Sequence, residues 1–187
     1  MKSAIFCAIV AAALVGAAPA ADTYLEVFGG ANVAPDLEFR GPADGADYEM
    51  DTGYSYGASL GWNVTPAWSL EAEIAYNKNA YSCCNRNNTS LLNISLNGIY
   101  NFSTTGSLTP YIGAGIGYGQ VEWEGDGDPL EDWTLTYKLI AGARVALSES
   151  IDLFGEYNFV AAAQADDGSY RWDYRSHILS AGLRFSF

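Results

Sequence analysis

The chain has 187 residues, a length that suits one domain, and carries 9 Lys and Arg against 22 Asp and Glu, a formal charge of −13 at pH 7. So acidic a chain lacks the basic face that nucleic-acid binding needs, which excludes that class of partner. With 20 Gly and 13 Tyr but only 6 Pro, it also lacks the aromatic-poor signature of disorder and suits a β-rich protein.

At the N-terminus Lys2 precedes the apolar run Ala4 to Gly16, and "AAPAAD" offers an Ala-x-Ala cleavage site after Ala20. Residues 1–20 therefore read as a secretory signal peptide and residues 21–187 as the mature domain. A membrane helix is the alternative, but this run is short and ends in small residues rather than a charged stop. No mature segment approaches the ~18 apolar residues of a transmembrane helix.

The mature chain shows eight segments of period-two alternation and no helical stripe. The first, Thr23 to Val33, alternates Leu25 and Val27 with Tyr24, Glu26 and Phe28. The second, Gly53 to Asn63, sets Tyr54, Tyr56, Ala58, Leu60 and Trp62 against Ser55, Gly57, Ser59 and Gly61. In the third, Trp68 to Asn77, Leu70, Ala72, Ile74 and Tyr76 oppose Ser69, Glu71 and Glu73. The fourth opposes Leu92, Ile94, Leu96, Tyr100 and Phe102 to Asn93, Ser95, Asn97 and Asn101. In the fifth, Leu108 to Trp123, glycine occupies every second position at Gly113, Gly115, Gly117 and Gly119, opposite Ile112, Ala114, Ile116 and Tyr118. The sixth sets Leu135, Tyr137, Leu139, Ala141, Ala143 and Val145 against Thr136, Lys138, Gly142 and Arg144. The seventh sets Leu153, Tyr157 and Phe159 against Asp152, Glu156 and Asn158. The eighth ends the chain, with Leu179, Ala181, Leu183, Phe185 and Phe187 against Ser180, Gly182, Arg184 and Ser186.

The connections alternate as well. "NVTPA", "STTGSL" and "LSESI" are tight, whereas about 34–52, 78–90, 122–133 and 161–176 are longer and polar. Long loops at one end and short turns at the other are the layout of an outer-membrane barrel. An even strand number puts both termini at the short-turn, periplasmic end, and strands of about ten residues suit a tilted bilayer crossing. The polar faces hold Glu26, Glu71, Glu73, Lys138, Arg144, Asp152, Glu156 and Arg184 within strands, and the apolar faces begin or end in aromatics such as Tyr54 and Trp62, Trp68 and Tyr76, Phe185 and Phe187. Apolar outside, polar inside and aromatic belts at both interfaces is the pattern of a barrel in lipid. A soluble sandwich or lipocalin-like barrel, the other all-β reading, does not explain the loop alternation, the belts and the terminal phenylalanine together. The expected fold is an all-β, eight-stranded, antiparallel up-and-down transmembrane barrel.

"LTPYIGAGIGYG" (Leu108 to Gly119) and the ending "ILSAGLRFSF" (Ile178 to Phe187) carry a family likeness. The whole mature chain resembles the small eight-stranded outer-membrane barrels of the OmpA-type transmembrane domain and the opacity-type surface proteins. The resemblance implies that Leu183, Phe185 and Phe187 form the C-terminal signal read by the barrel-assembly machinery. It also implies a place in the outer membrane of a Gram-negative bacterium and contact with outer-membrane lipid and lipopolysaccharide. Larger relatives add a peptidoglycan-binding domain, which the resemblance does not carry over to a chain ending at the last strand.

An eight-stranded barrel is just wide enough for side chains to fill it. The expected lumen charges are Glu26, Glu71, Glu73, Asp152 and Glu156 with Lys138, Arg144 and Arg184, paired across the interior because lone buried charges are costly. The four glycines face this lumen and leave room for long side chains from other strands, with Lys138 and Arg144 the nearest candidates. A filled lumen argues against a wide pore.

Other constellations carry less. Lipid A deacylases and palmitoyl transferases use a His with a Ser and an acid. The one histidine, His177, has Ser176 and Ser180 nearby but neither the deacylase spacing nor an evident acid, so no catalytic residue is expected. The glycine spacing of two is not the G-x-G-x-x-G of a dinucleotide loop. Glu122, Glu124, Asp126, Asp128, Glu131 and Asp132 form an acidic loop that lacks the EF-hand pattern and reads as solvated, with a weak shared calcium contact as the sharper alternative. Cys83 and Cys84 leave a vicinal bridge, a reduced pair and a bridge to another chain open, and neither their number nor their spacing suggests zinc. Asn63, Asn87, Asn93 and Asn101 begin N-x-S/T sequons, which carry no glycan in a bacterial protein. No cofactor or metal site is expected. The expected function is a structural or surface-exposed outer-membrane barrel that presents four extracellular loops; whether these touch a host or cell-surface ligand, other cells or only lipopolysaccharide is open at this level. The alternatives are a narrow porin-like channel and a lipid A-modifying enzyme. Oligomeric state is open at this level.

Overall fold

A computed structural model describes residues 23–33, 39–40, 51–80, 88–124, 130–162, 165–166, 171–172 and 175–187. The signal peptide reading, Cys83 with Cys84, and the middle of the acidic loop lie outside the described residues. Eight strands close into one barrel: β1 (Thr23–Val33), β2 (Gly53–Asn63), β3 (Trp68–Ala80), β4 (Asn88–Asn101), β5 (Leu108–Glu124), β6 (Leu130–Ala146), β7 (Ile151–Ala162) and β8 (Arg175–Ser186). Each pairs antiparallel with its chain neighbours, and β1 with β8 closes the ring, Glu26 standing opposite Arg184. Three two-residue strands, Phe39–Arg40, Ala165–Asp166 and Arg171–Trp172, form a separate small sheet. It joins the connection after β1 to the one after β7.

Alternation decides the faces, because successive strand side chains point to opposite sides. Leu25, Val27, Tyr54, Tyr56, Ile74, Leu96, Ile116, Leu139 and Leu179 are exposed, whereas Glu26, Ser59, Glu71, Glu73, Asn97, Lys138 and Arg184 are buried. This is a protein turned inside out relative to a soluble one, as lipid demands. The outward aromatics form contacts at both ends. Trp68, Tyr100 and Phe102 pack edge to face near the short turns, with centroids 5.0 and 5.1 Å apart. Tyr54, Tyr56 and Tyr76 cluster near the long connections, as do Tyr118 with Trp133 and His177 with Tyr157 and Phe159.

The short-turn end is tightly bonded. Val64 N and Thr65 N both donate to Trp68 O, at 2.9 and 3.0 Å, and Thr65 Oγ1 accepts from Trp68 N at 3.0 Å. Leu147 N donates to Ile151 O at 2.9 Å. The final residue belongs to the same rim, Phe187 N donating to Thr23 O at 3.0 Å.

Several strands run further than apolar alternation marks. β3 continues to Ala80, β4 begins at Asn88, and β5 and β6 each span 17 residues, against the about 9–11 a tilted strand needs to cross a bilayer. The extensions lie at the long-connection end. There Lys78 and Ser90, paired in register, take the positions that are apolar further down β3 and β4, so the period-two signal fades while the backbone ladder persists.

Candidate functional site

The lumen is where the polar faces of all eight strands converge, and its side chains pair across as well as along the wall. Toward the short-turn end Arg184 on β8, in register with Asp152 of β7, is 4% exposed, and both its Nε and Nη2 lie 2.7 Å from Glu26 Oε1 on β1. Its Nη2 also lies 3.4 Å from Glu71 Oε1 on β3, and its guanidinium stacks over the Tyr24 ring at 3.7 Å. Tyr24 Oη donates to Glu71 Oε1 at 2.8 Å, and Ser59 Oγ donates to Glu26 Oε2 at 2.9 Å. One guanidinium thus serves two carboxylates, and neutral donors complete their shells. Charge-assisted bonds of this kind are the strong ones.

A second group spans the barrel. Lys138 Nζ on β6 sits 2.6 Å from Glu73 Oε2 on β3, and Asn97 Nδ2 donates to the same oxygen at 3.1 Å. Glu156 accepts from Asn158 Nδ2 at 2.6 Å and from Tyr111 Oη at 3.1 Å. Arg144 and Asp152, also near the short turns, are more open and lie 3.9 Å apart, with Arg144 5.9 Å from the Tyr111 ring centre. Of the eight charges, Glu26, Glu71, Glu73, Lys138 and Arg184 are buried, and Arg144, Asp152 and Glu156 are half-buried. Two clusters gather Glu26, Glu71 and Arg184 in one and Glu73 and Lys138 in the other, while Arg144 and Asp152 stand apart.

Toward the long connections the lumen changes to amides and hydroxyls. Asn32 Nδ2 donates to Asn79 Oδ1 at 2.5 Å, Ser176 Oγ donates to Asn32 Oδ1, and Thr136 Oγ1 donates to Asn93 Oδ1 at 2.6 Å. Apolar residues also face inward. Leu91, Val121, Val160, Ala162 and Ile178 form one buried cluster, and Ile99, Tyr111 and Ile140 another. Sequence reasoning missed these two clusters. Their only signal is adjacent apolar pairs such as Leu91–Leu92, Leu139–Ile140, Phe159–Val160 and Ile178–Leu179, where both faces are apolar at once.

The four glycines of β5 face this crowded interior, but the neighbours that fill their space differ from the expected ones. A Cβ on Gly115 would collide with Asn97 Oδ1; one on Gly117 would meet Ile94 O, Thr136 Oγ1 and Asn93 Oδ1 at 2.6 to 2.9 Å. Gly113 is covered by Ile99 and Gly119 by Leu91. Lys138 stands beside Gly115 in register yet reaches away to Glu73, and Arg144 is level with Thr109, beyond the glycines. Side chains of the two adjacent strands, β4 and β6, lean into the gap, one strand spacing away.

His177 lies on the outer face, its Nδ1 2.6 Å from Tyr157 Oη and its ring tilted against Phe159. Ser176 and Ser180 point the opposite way, into the lumen, where Ser176 bonds Asn32 and Ser180 Oγ lies 3.5 Å from Glu156 O. Among the described residues no group of three His, Cys, Asp or Glu is placed to hold a metal ion.

Comparison with known proteins yields a consistent picture. The family model "Outer membrane protein beta-barrel domain" matches residues 7–187. No curated protein matches the chain by sequence. Among solved structures, the crystal structure of Neisserial surface protein A is 19% identical with a TM-score of 0.68, covering 88% of this chain and 97% of that one. Outer membrane protein OprG from Pseudomonas aeruginosa is 17% identical with a TM-score of 0.57, covering 89% and 96%. The N-terminal β-barrel domain of OprF from Pseudomonas aeruginosa is 18% identical with a TM-score of 0.53, covering 89% and 98%. Identities this low carry the fold and not the activity.

Proposed function

Because the chain belongs to the outer membrane protein beta-barrel family, whose place is the bacterial outer membrane, we propose that it is a non-conducting anchor that presents four connecting regions at the cell surface. The observation that carries this reading is the filled lumen. Ion pairs span it at Lys138–Glu73 and Arg184–Glu26–Glu71, and an apolar cluster occupies the half nearer the long connections. A permeating ion would have to displace a short, buried, charge-assisted contact and then pass a greasy layer. The barrel is then a scaffold, and the loops carry recognition, as loops on rigid scaffolds do. Lipopolysaccharide and a host or cell-surface ligand are the partners those loops would meet.

The same reading makes the chain no enzyme. Strand alternation supports this, since it separates His177 from Ser176 and Ser180 by the thickness of the wall. It also assigns Leu183, Phe185 and Phe187 to recognition by the barrel-assembly machinery. Leu183 and Phe185 share the outward face of the last strand by alternation, and Phe187 follows it directly, exposed where a folding factor can reach it. Tag-free purified protein reconstituted in planar bilayers tests the proposal. No stable large channel is expected; reproducible large conductance steps would overturn it in favour of a pore.

A further inference from the structure

The eight strands are not equally long. β1, β2, β7 and β8 hold 11 or 12 residues, whereas β3 to β6 hold 13, 14, 17 and 17, and the excess lies at the long-connection end. Those four strands stand above their neighbours as a wall with two lateral edges. The β3 edge is short: β2 reaches Lys78 through Tyr54, and only Asn79 and Ala80 extend past it. The β6 edge is longer. β5 ladders β6 from its first residue, Trp123 standing opposite Leu130, but β7 joins it only from Thr136, opposite Ala162. Among the described residues, 130–133 have no strand partner on that side. Such an edge is a template for one more strand, because its outer N–H and C=O groups lack ladder bonds.

The side chains along this edge decide which strand fits. Trp133 faces outward, stacked on Tyr118 with ring centroids 5.4 Å apart. Glu131 shares that face by alternation and stands opposite Glu122 of β5. Like charges directly opposite destabilise a strand pair. No Lys or Arg lies between Gln120 and Tyr137, a stretch that carries Glu122, Glu124, Asp126, Asp128, Glu131 and Asp132. A strand laid along β6 would extend the row from Glu122 through Glu131 by one residue. A basic residue there relieves the repulsion, and an acidic one adds to it. The same charges keep a second copy of so acidic a chain from pairing edge to edge.

We infer that the upper edge of β6 takes up an extended basic segment of a partner polypeptide by strand addition, with Lys or Arg opposite Glu131 and an apolar or aromatic residue two positions away, opposite Trp133. Main-chain bonds supply the affinity and the alternate side chains the selectivity. The partner's access rests on the reading that the long connections face the cell exterior. In a nanodisc both barrel ends are open to solution, so binding there is independent of that reading and of whether the lumen conducts.

The full mature chain is folded into phosphatidylcholine nanodiscs, checked by heat-modifiable gel migration, and titrated by fluorescence anisotropy with the labelled peptide Val-Thr-Phe-Thr-Lys-Thr-Lys. Saturable one-to-one binding is expected. N-methylation of alternate peptide residues gives two patterns. In a strand only one alternate set of N–H groups faces β6, so one pattern should abolish binding and the other leave it intact. Glu131→Lys should weaken binding about fivefold, and the peptide with Glu in place of both Lys should prefer that variant over the wild type. Equal loss for both methylation patterns would overturn the proposal, since a merely electrostatic contact has no period of two. So would binding that Glu131→Lys leaves unchanged, an absence of binding to the wild type, or a wild-type dimer that excludes the peptide.

Discussion

At Gly115 and Gly117 a side chain has nowhere to go. Leucine at either position must push against Asn97 or against Thr136 and the backbone of Ile94, an overpacking that costs about 1–3 kcal/mol or blocks closure outright. Ala114→Leu, one position away, adds bulk to the lipid face and should be nearly neutral. Folded yield by heat-modifiable migration should therefore fall for Gly115→Leu and Gly117→Leu and stay near wild type for Ala114→Leu. The buried ion pairs pose a different residue-scale test. Lys138→Met leaves Glu73 charged with Asn97 as its remaining side-chain donor among the described residues, a loss of about 3–5 kcal/mol, whereas Lys138→Met with Glu73→Leu should recover much of it. Urea unfolding in lipid vesicles, followed by tryptophan fluorescence, reads both. That glycine belongs on the lumen face of β5 is legible in its strict spacing of two. Which neighbour fills each gap is not, because it depends on rotamers of Asn97, Thr136 and Ile99 that composition says nothing about.

At the scale of the element, β8 has two duties that a single residue separates. The backbone of Phe187 closes the rim through its bond to Thr23 O, while its exposed ring touches lipid and serves the proposed recognition by the assembly machinery. Phe187→Ala keeps the backbone bond. It should leave the stability of protein refolded in detergent within about 0.5 kcal/mol of wild type yet lower the amount assembled in the outer membrane of living cells. An equal loss in both measurements would mean that the ring acts through stability and not recognition. The element boundaries show where sequence reading stops. β1 and β2 run over the residues that alternation marks, because their outward faces stay apolar or aromatic nearly end to end. β3, β4 and β6 outrun it, since Lys78, Asn88 and Ser90 sit beyond the hydrocarbon, where lipid no longer selects for apolarity.

For the whole molecule, closure is what holds β1 in register. It is laddered to β2 along one side and to β8 along the other, from Tyr24 to Asn32. Replacing residues 35–50 by a short turn should therefore leave an intact, heat-modifiable barrel, although it removes Phe39–Arg40 from the small outer sheet. Loss of the folded band would show that this connection contributes to the barrel and does not merely decorate it. Sequence by itself determined the strand number, the end at which each connection lies, and which side chains face lipid. All three follow from the period of two, a local property of an extended backbone that needs no partner to be read. Tertiary structure alone decided which carboxylate meets which cation and where apolar clusters interrupt the lumen. Lys138 and Glu73 are 65 residues apart, and they meet only because closing eight tilted strands with a fixed stagger sets which positions face one another across the interior.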